Sequence, residues 1–431
     1  AEKPNSAGFQ WGLGFAIGPE NTEDSSRAYK KAIELNPKFT EAYDSLGSLA
    51  WRIYDVVGNR DYQKKAFEMV PDSTNRYYRY AIAELDVDKV RGRKLLRDLA
   101  DKYPKDVYAI LAFGAMADSY EDEANKAKVL EEMRKRFPGS KGGSFSFRMS
   151  GLFGIYTRND LPKAFELATE MVGQFPDSKE WIASKDFAAN VLEARKLIAT
   201  KDFAAAAALL ETTKPWNNTT DITEFSMLKA AAANDNAKAY QILTTAVLKV
   251  PNPKLEEALA DYGKKLGKSK KITSDDLWAA RVAASTPLKD FDLPSFPLEA
   301  NKRVTKASLK GKVVLMNFWF PSCGPCRPEL PHFESMLKRY RAKGFEIMAL
   351  NIVPNEDNVI DLFVKQSGFT FTPLQTPGAN WARENYNAAL APTNLLVDGE
   401  GRVMFRPQIR DEASAKLFEL QIQALLERLK K

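Results

Sequence analysis

Seven prolines, at positions 37, 71, 104, 138, 176, 215 and 251, recur at intervals of 33 to 39 residues, and each follows a stretch that reads as a helix. The closing tripeptides run Leu35-Asn36-Pro37, Met69-Val70-Pro71, Lys102-Tyr103-Pro104, Arg136-Phe137-Pro138, Gln174-Phe175-Pro176, Thr213-Lys214-Pro215 and Lys249-Val250-Pro251. Proline has no N–H to donate and its ring clashes with the preceding turn, so it stops a helix at a fixed place. Punctuation at this period suits a chain of helix–turn–helix units, none of which can bury its apolar face without stacking on the next.

The clearest unit runs from Tyr29 to Pro37 and continues through Tyr43, Leu46 and Gly47, with aromatic and small residues where paired helices must approach closely. It resembles the tetratricopeptide repeat, and residues 1–262 are read as a tetratricopeptide-like helical-repeat region. The first four units keep the period; beyond Pro138 it drifts, and the remainder is read as a helical-repeat continuation. The concave surface of such an array commonly binds peptides or partner proteins. Gly139-Ser140-Lys141-Gly142-Gly143-Ser144 reads as a loop between helices, since it lacks the Lys-Ser/Thr ending of a phosphate loop. Gly12 and Gly14 have no preceding strand and make no dinucleotide fingerprint. The basic run from Lys264 to Lys271 reads as a solvated exit from the array, which makes residues 263–285 a basic linker and connecting helix.

Both cysteines of the 431 residues lie in one tetrapeptide, Cys323-Gly324-Pro325-Cys326, after the apolar stretch Val313 to Phe320. At a helix N-terminus, unpaired N–H groups and the helix dipole favour thiolate over thiol. Cys323 is therefore the predicted nucleophile, and Cys326, a turn further on and less accessible, the resolving thiol. Pro325 is tolerated in a first helical turn because the N–H it lacks would have no partner there. Zinc is a poor fit, for four ligands are wanted and the chain offers two cysteines and one histidine, His332. A purely structural disulfide would close too short a loop to restrain the unfolded chain much. His332 falls on another face of the predicted helix and is read as structural.

From about Thr286 to the C-terminus the order of elements is strand, Cys-x-x-Cys helix, strand Phe345 to Ile352, helix near Asn358 to Gln366, strand Asn394 to Val397, the turn Asp398-Gly399-Glu400-Gly401, strand Val403 to Arg406 and a terminal helix from about Glu412. This predicts an α/β sheet with an antiparallel hairpin at one edge. The lead-in Leu309 to Trp319, the Cys-Gly-Pro-Cys centre, Glu329 with Pro331, and Ala391-Pro392-Thr393 together resemble the TlpA/ResA-like branch of the thioredoxin superfamily. The overall fold class is thus multidomain, an all-α repeat region followed by an α/β thioredoxin-fold domain over residues 286–431. The resemblance implies a cis Pro392 facing the cysteines, with the Ala391 backbone pairing a bound substrate chain as an added strand. Substrate contacts are also expected at Gly324, Pro325 and Trp319. Glu329 matches the acidic residue of ResA-like proteins and is expected to relay the proton of Cys326. Asn317 stands where typical thioredoxins carry a buried Asp, and Ser322 where family members usually have Trp, which removes a flat apolar platform beside the thiolate. The Gly-Pro dipeptide is that of reducing thioredoxins, near −270 mV rather than the oxidising extreme of about −120 mV.

The formal charge of +7 is thinly spread, with 20 basic against 16 acidic residues in 286–431 and 43 against 40 elsewhere, so no concentrated cationic face points to nucleic acid. No apolar run is long enough to span a membrane. The resemblance implies a bacterial periplasmic or secreted setting, with signal or anchor absent from this chain. The predicted function is a protein-disulfide reductase that needs no bound cofactor or metal and draws on an outside electron donor, its helical region binding substrates or partners. The alternative is an interaction scaffold whose thioredoxin-like domain is a redox-sensitive structural module.

Overall fold

The computed structural model describes residues 6–18, 21–140, 143–214, 222–297, 300–409 and 412–429. Lys141 and Gly142 of the glycine-rich break and Pro215 of the proline series lie outside the described residues. The chain separates into two compact units, one formed by residues 1–122 together with 286–431 and the other by residues 123–285.

The first unit opens with α1 (Ala7–Ile17), α2 (Thr22–Leu35), α3 (Thr40–Arg52), α4 (Val56–Met69), α5 (Thr74–Val87), α6 (Lys89–Lys102) and α7 (Val107–Asp118). Each helix packs on the next in sequence. Local chemistry sets their starts: Ser6, Asn21, Asp55, Ser73, Asp88 and Asp106 each accept a hydrogen bond from a first-turn N–H that would otherwise lack a partner. Proline sets their ends, and α2, α4 and α6 stop two residues before Pro37, Pro71 and Pro104. Close approach needs small residues. A Cβ on Gly92 would fall 2.6 Å from the backbone of Leu85, so α5 and α6 can touch main chain to main chain only with glycine there.

The second unit holds α8 (Glu123–Arg136), α9 (Gly143–Asn159), α10 (Leu161–Gln174), α11 (Lys179–Ala199), α12 (Phe203–Thr212), α13 (Ile222–Ala232), α14 (Asn236–Lys249), α15 (Pro253–Lys265) and α16 (Lys270–Ala284). Three of these, α8, α10 and α14, again end two residues before a proline of the series. Trp181 is fully buried on α11, set edge-on to Phe153 and donating its indole N–H to Ser146 Oγ at 3.2 Å. The basic run is solvated but is not an extended linker: Lys264 and Lys265 end α15, Gly267 turns the chain at φ 75°, and Lys270 and Lys271 begin α16. The lysines point outward while Leu255, Leu259 and Thr273 are buried, and buried Arg281 donates to the Val247 carbonyl at 3.1 Å. Among the described residues no helix is long and apolar enough to cross a membrane.

The α/β part contains β1 (Thr286–Pro287), β2 (Asp292–Pro294), β3 (Arg303–Thr305), β4 (Val313–Trp319), α17 (Leu330–Tyr340), β5 (Phe345–Asn351), α18 (Ile360–Ser367), β6 (Thr372–Gln375), α19 (Ala379–Tyr386), β7 (Thr393–Val397), β8 (Arg402–Phe405) and α20 (Glu412–Leu429). One sheet runs in the order β1-β8-β7-β4-β5-β6, and β2 and β3 form a separate antiparallel ribbon. β4 is parallel to β5 and antiparallel to β7, and all seven of its residues are buried, as a central strand covered on both faces requires. The predicted hairpin is β7–β8, but it does not close the sheet, because β1 pairs with the outer side of β8. The fold is therefore a helical region joined to a thioredoxin-like α/β domain.

Candidate redox site

β4 leaves the sheet at Trp319, and the chain reaches the cysteines four residues later. Cys323 and Cys326 form a disulfide with Cα atoms 5.3 Å apart. Residues Gly324–Cys326 make a single 3-10 turn, with Cys323 as its N-cap, and the successive bonds Cys326 N–H to Cys323 O, Arg327 N–H to Gly324 O and Glu329 N–H to Cys326 O all span three residues. Regular α-helix starts only at Leu330, so Glu329 is the N-cap of α17 rather than the second turn of one helix shared with Cys326. Pro331 explains the break, for it has no N–H with which to bond the Arg327 carbonyl.

Asn317 on β4 lies directly across from Asn394 on β7. The Asn317 amide donates to Asn394 Oδ1 at 2.7 Å, and the Asn394 amide donates to both carboxylate oxygens of Glu329, at 3.1 and 3.2 Å. Glu329 is only 2 % exposed and also accepts from the Ile409 N–H at 2.9 Å. A carboxylate buried this deeply survives by accepting several hydrogen bonds. The Ala391–Pro392 peptide is cis. The pairing of Thr393 with Phe318 sets this peptide at the end of β4 from which the chain departs towards Cys323.

Gly324 and Pro325 are exposed, and Ala391 and Pro392 are partly buried. Trp319, predicted to meet substrate, has no exposed surface; as the last residue of a strand buried on both faces it packs its ring on Phe363 and Phe371. Cys323, predicted to stand open to a partner, is 2 % exposed, close to the 1 % of Cys326. The C-terminal end of α3 meets the residues that flank the pair, directly at Arg327 and through Glu356 at Ser322. On one side of the cysteine pair, Ser322 donates its N–H to Glu356 Oε2 at 2.8 Å and its hydroxyl to Oε1, and Arg52 pairs with the same Oε1 at 3.2 Å. On the other side, Arg327 lies 3.8 Å from the centroid of the Trp51 ring and donates to the Trp51 carbonyl. Tyr54, at φ 64°, packs edge-on against Phe363 and Phe369.

Burial lowers the pKa of Arg327 to about 10 against the opposing pull of Asp86, Tyr54 and Glu356. Burial raises Asp86 on α5, and the Arg327 charge offsets part of that rise. Tyr54 is likewise pushed up by burial, with Arg327 acting against it. None of Trp51, Arg52, Tyr54, Asp86 or Glu356 was signalled by the sequence, because their part in the site comes from contacts between segments distant along the chain, 34 residues for Glu356 with Ser322 and 276 for Trp51 with Arg327. His332 is half-exposed on α17. Among the described residues no group of three His, Cys, Asp or Glu side chains is placed to hold a metal ion.

Residues 283–416 match the Redoxin family. The thiol-disulfide oxidoreductase ResA of Bacillus subtilis (strain 168) is 34 % identical over 115 residues, which are 26 % of this chain and 63 % of that protein. ResA of Oceanobacillus iheyensis is 30 % identical over 130 residues, covering 30 % of this chain and 66 % of the other. The chain therefore spans a little under two thirds of the length of these relatives. Among solved structures, StoA from Bacillus subtilis shares 23 % identity at a TM-score of 0.26, over 32 % of this chain and 98 % of that one. A thioredoxin family thiol:disulfide interchange protein from Chlorobium tepidum TLS shares 23 % at 0.28, over 33 % and 97 %. The C-terminal third of this chain carries a Redoxin domain of thioredoxin fold, similar in sequence to thiol-disulfide oxidoreductases of the ResA kind.

Proposed function

We propose that the protein is a thiol-disulfide oxidoreductase acting on protein disulfides, in the reducing direction, outside the bacterial cytoplasm. The observation that carries this reading is the Cys323–Cys326 disulfide at the departing end of β4, the place where the Redoxin domain would do its chemistry. In the reduced form the Cys323 thiolate attacks one sulfur of a substrate disulfide. A Cys323–substrate bond forms, the substrate S–S bond breaks, and the released sulfur takes a proton. The Cys326 thiolate then attacks Cys323, closing the internal disulfide and releasing the second substrate thiol. Two electrons pass to the substrate, and an external dithiol donor returns them to the pair.

Glu329 is assigned the proton bookkeeping of Cys326, supported by its burial three residues away, and Ala391-Pro392 the backbone pairing of substrate. Residues 1–262 are read as tetratricopeptide-like units that recruit substrate or partner proteins. Replacing Cys323 by Ser should abolish reduction of insulin disulfides with dithiothreitol as donor; retained full activity would sink the mechanism.

A further inference from the structure

Glu356 is buried on the 3-10 turn Pro354–Val359 that follows β5. The next residue ties this turn to the sheet, for Asp357 accepts from the side-chain amides of Asn351 on β5 and Gln375 on β6, each at 2.7 Å. Seated this way, Glu356 gives both carboxylate oxygens to Ser322, one to its N–H at 2.8 Å and the other to its hydroxyl. The hydroxyl is particular to this chain, since the Trp that related proteins usually carry before the first cysteine has none to give. A negative charge is thus fixed on the residue that precedes Cys323.

Other charged groups stand near the pair. Glu329 is held by the Asn394 amide and the Ile409 N–H. The Arg327 charge is drawn first to Asp86 and Tyr54 and then to Glu356, so the field of Glu356 also reaches the flank beyond Cys326. The cation in contact with Glu356 comes from outside the Redoxin domain: Arg52, the last residue of α3, lies 3.2 Å from Oε1. The two side chains are 14 % and 7 % exposed, so solvent screens their charges weakly. An unanswered carboxylate beside a cysteine disfavours the thiolate, and a cation paired with that carboxylate removes the penalty.

We propose that Arg52 is a positioning residue of the redox centre that acts through Glu356: by neutralising the carboxylate bound to Ser322, it lets Cys323 ionise and attack. The helical region then contributes a charge, as well as packing, to the chemistry of the Redoxin domain. The inference rests on the assignment of Cys323 as the attacking thiol in the proposed function.

The test is the pH dependence of Cys323 alkylation by iodoacetamide in the full-length Cys326→Ser protein, reduced and then freed of reductant, with mass spectrometry reading the rate. The midpoint of the profile reports thiolate formation and the plateau at high pH reports access, so a change that merely opens the site moves the plateau alone. Arg52→Ala should raise the midpoint by about one pH unit, which is about a tenfold loss of thiolate below it. Arg52→Lys keeps the charge and should restore the wild-type midpoint. Glu356→Gln keeps the shape and leaves Arg52 unanswered, so it should lower the midpoint. Opposite shifts from the two partners are the signature of charge, whereas loosening of the segment would act alike in both. A midpoint unmoved in Arg52→Ala, or shifts of one sign in Arg52→Ala and Glu356→Gln, would overturn the proposal. Glu356→Gln buries no unpaired carboxylate, and a midpoint that does not fall there is decisive against it even if Arg52→Ala does not fold. Insulin reduction by the wild-type protein is measured alongside; its absence with the opposite shifts present would sink the functional reading and leave the role of Arg52 standing.

Discussion

Arg327, the residue that follows the second cysteine, lies 3.8 Å from the centroid of the Trp51 ring, 276 residues earlier in the chain, and donates a hydrogen bond to the Trp51 carbonyl. Together with the Arg52–Glu356–Ser322 chain, this contact ties the C-terminal end of α3 to the residues on both sides of the cysteine pair. A desolvated cation–π contact contributes about 2 kcal/mol.

Trp51→Ala should loosen this contact and open the segment that carries the cysteines. In the dithiothreitol-reduced protein, Cys323 should react with iodoacetamide about tenfold faster than in wild type, as the open population rises. Mass spectrometry of quenched samples reads the rate, and an unchanged rate would mean that this contact does not limit access.

The Asn317–Asn394–Glu329 chain predicts a large effect from a small change. Asn394→Leu removes the side-chain amide that donates to both oxygens of a carboxylate that is 2 % exposed, at a cost of about 3 kcal/mol in urea unfolding. Adding Glu329→Gln should recover part of it, since the neutral amide needs fewer donors.

Tyr386 predicts the alkaline limit of the Redoxin domain. Burial, aided by the charge of Asp290, pushes its hydroxyl up from 10 to about 12. Below pH 10 the folded and unfolded states both hold this proton; above it the unfolded state releases first. Stability therefore falls as pH rises from 10 to about 12, by on the order of 2 kcal/mol from this group. Tyr386→Phe should flatten that part of the stability–pH curve.

Trp181 anchors the second unit. Trp181→Ala deletes a fully buried ring and its hydrogen bond to Ser146, and should lower stability by about 4 kcal/mol, measured by thermal unfolding.

Cys326→Ser should leave Cys323 able to attack but unable to be released. Incubation with a disulfide-bonded substrate should accumulate one mixed disulfide per chain, seen as a mass shift that dithiothreitol reverses. Loss of that species in the additional variant Cys323→Ser would identify the attacking sulfur.

Local signals carried much of the secondary structure. The prolines at 37, 71, 104, 138, 176 and 251 each stand two residues past a helix end, because a missing N–H acts on its own turn whatever surrounds it. The apolar run from Val313 became the central strand, and the Asp398-Gly399-Glu400-Gly401 turn became the β7–β8 hairpin. β6 and α19 left weaker traces. β6 carries Pro373, a residue confined to sheet edges, and α19 is eight residues long.

The sequence by itself determined where the cysteines lie, which strand delivers them, and that helices end at a steady period, since these depend on residues close along the chain. Only the tertiary structure decided that Trp319 is core, that Glu329 is tied to Asn317 through Asn394, and that the end of α3 meets Arg327 beside the cysteine pair. Those facts come from residues brought together from Trp319 and Phe363 at the near end to Trp51 and Arg327, 276 residues apart, at the far end, and no local pattern encodes such a meeting.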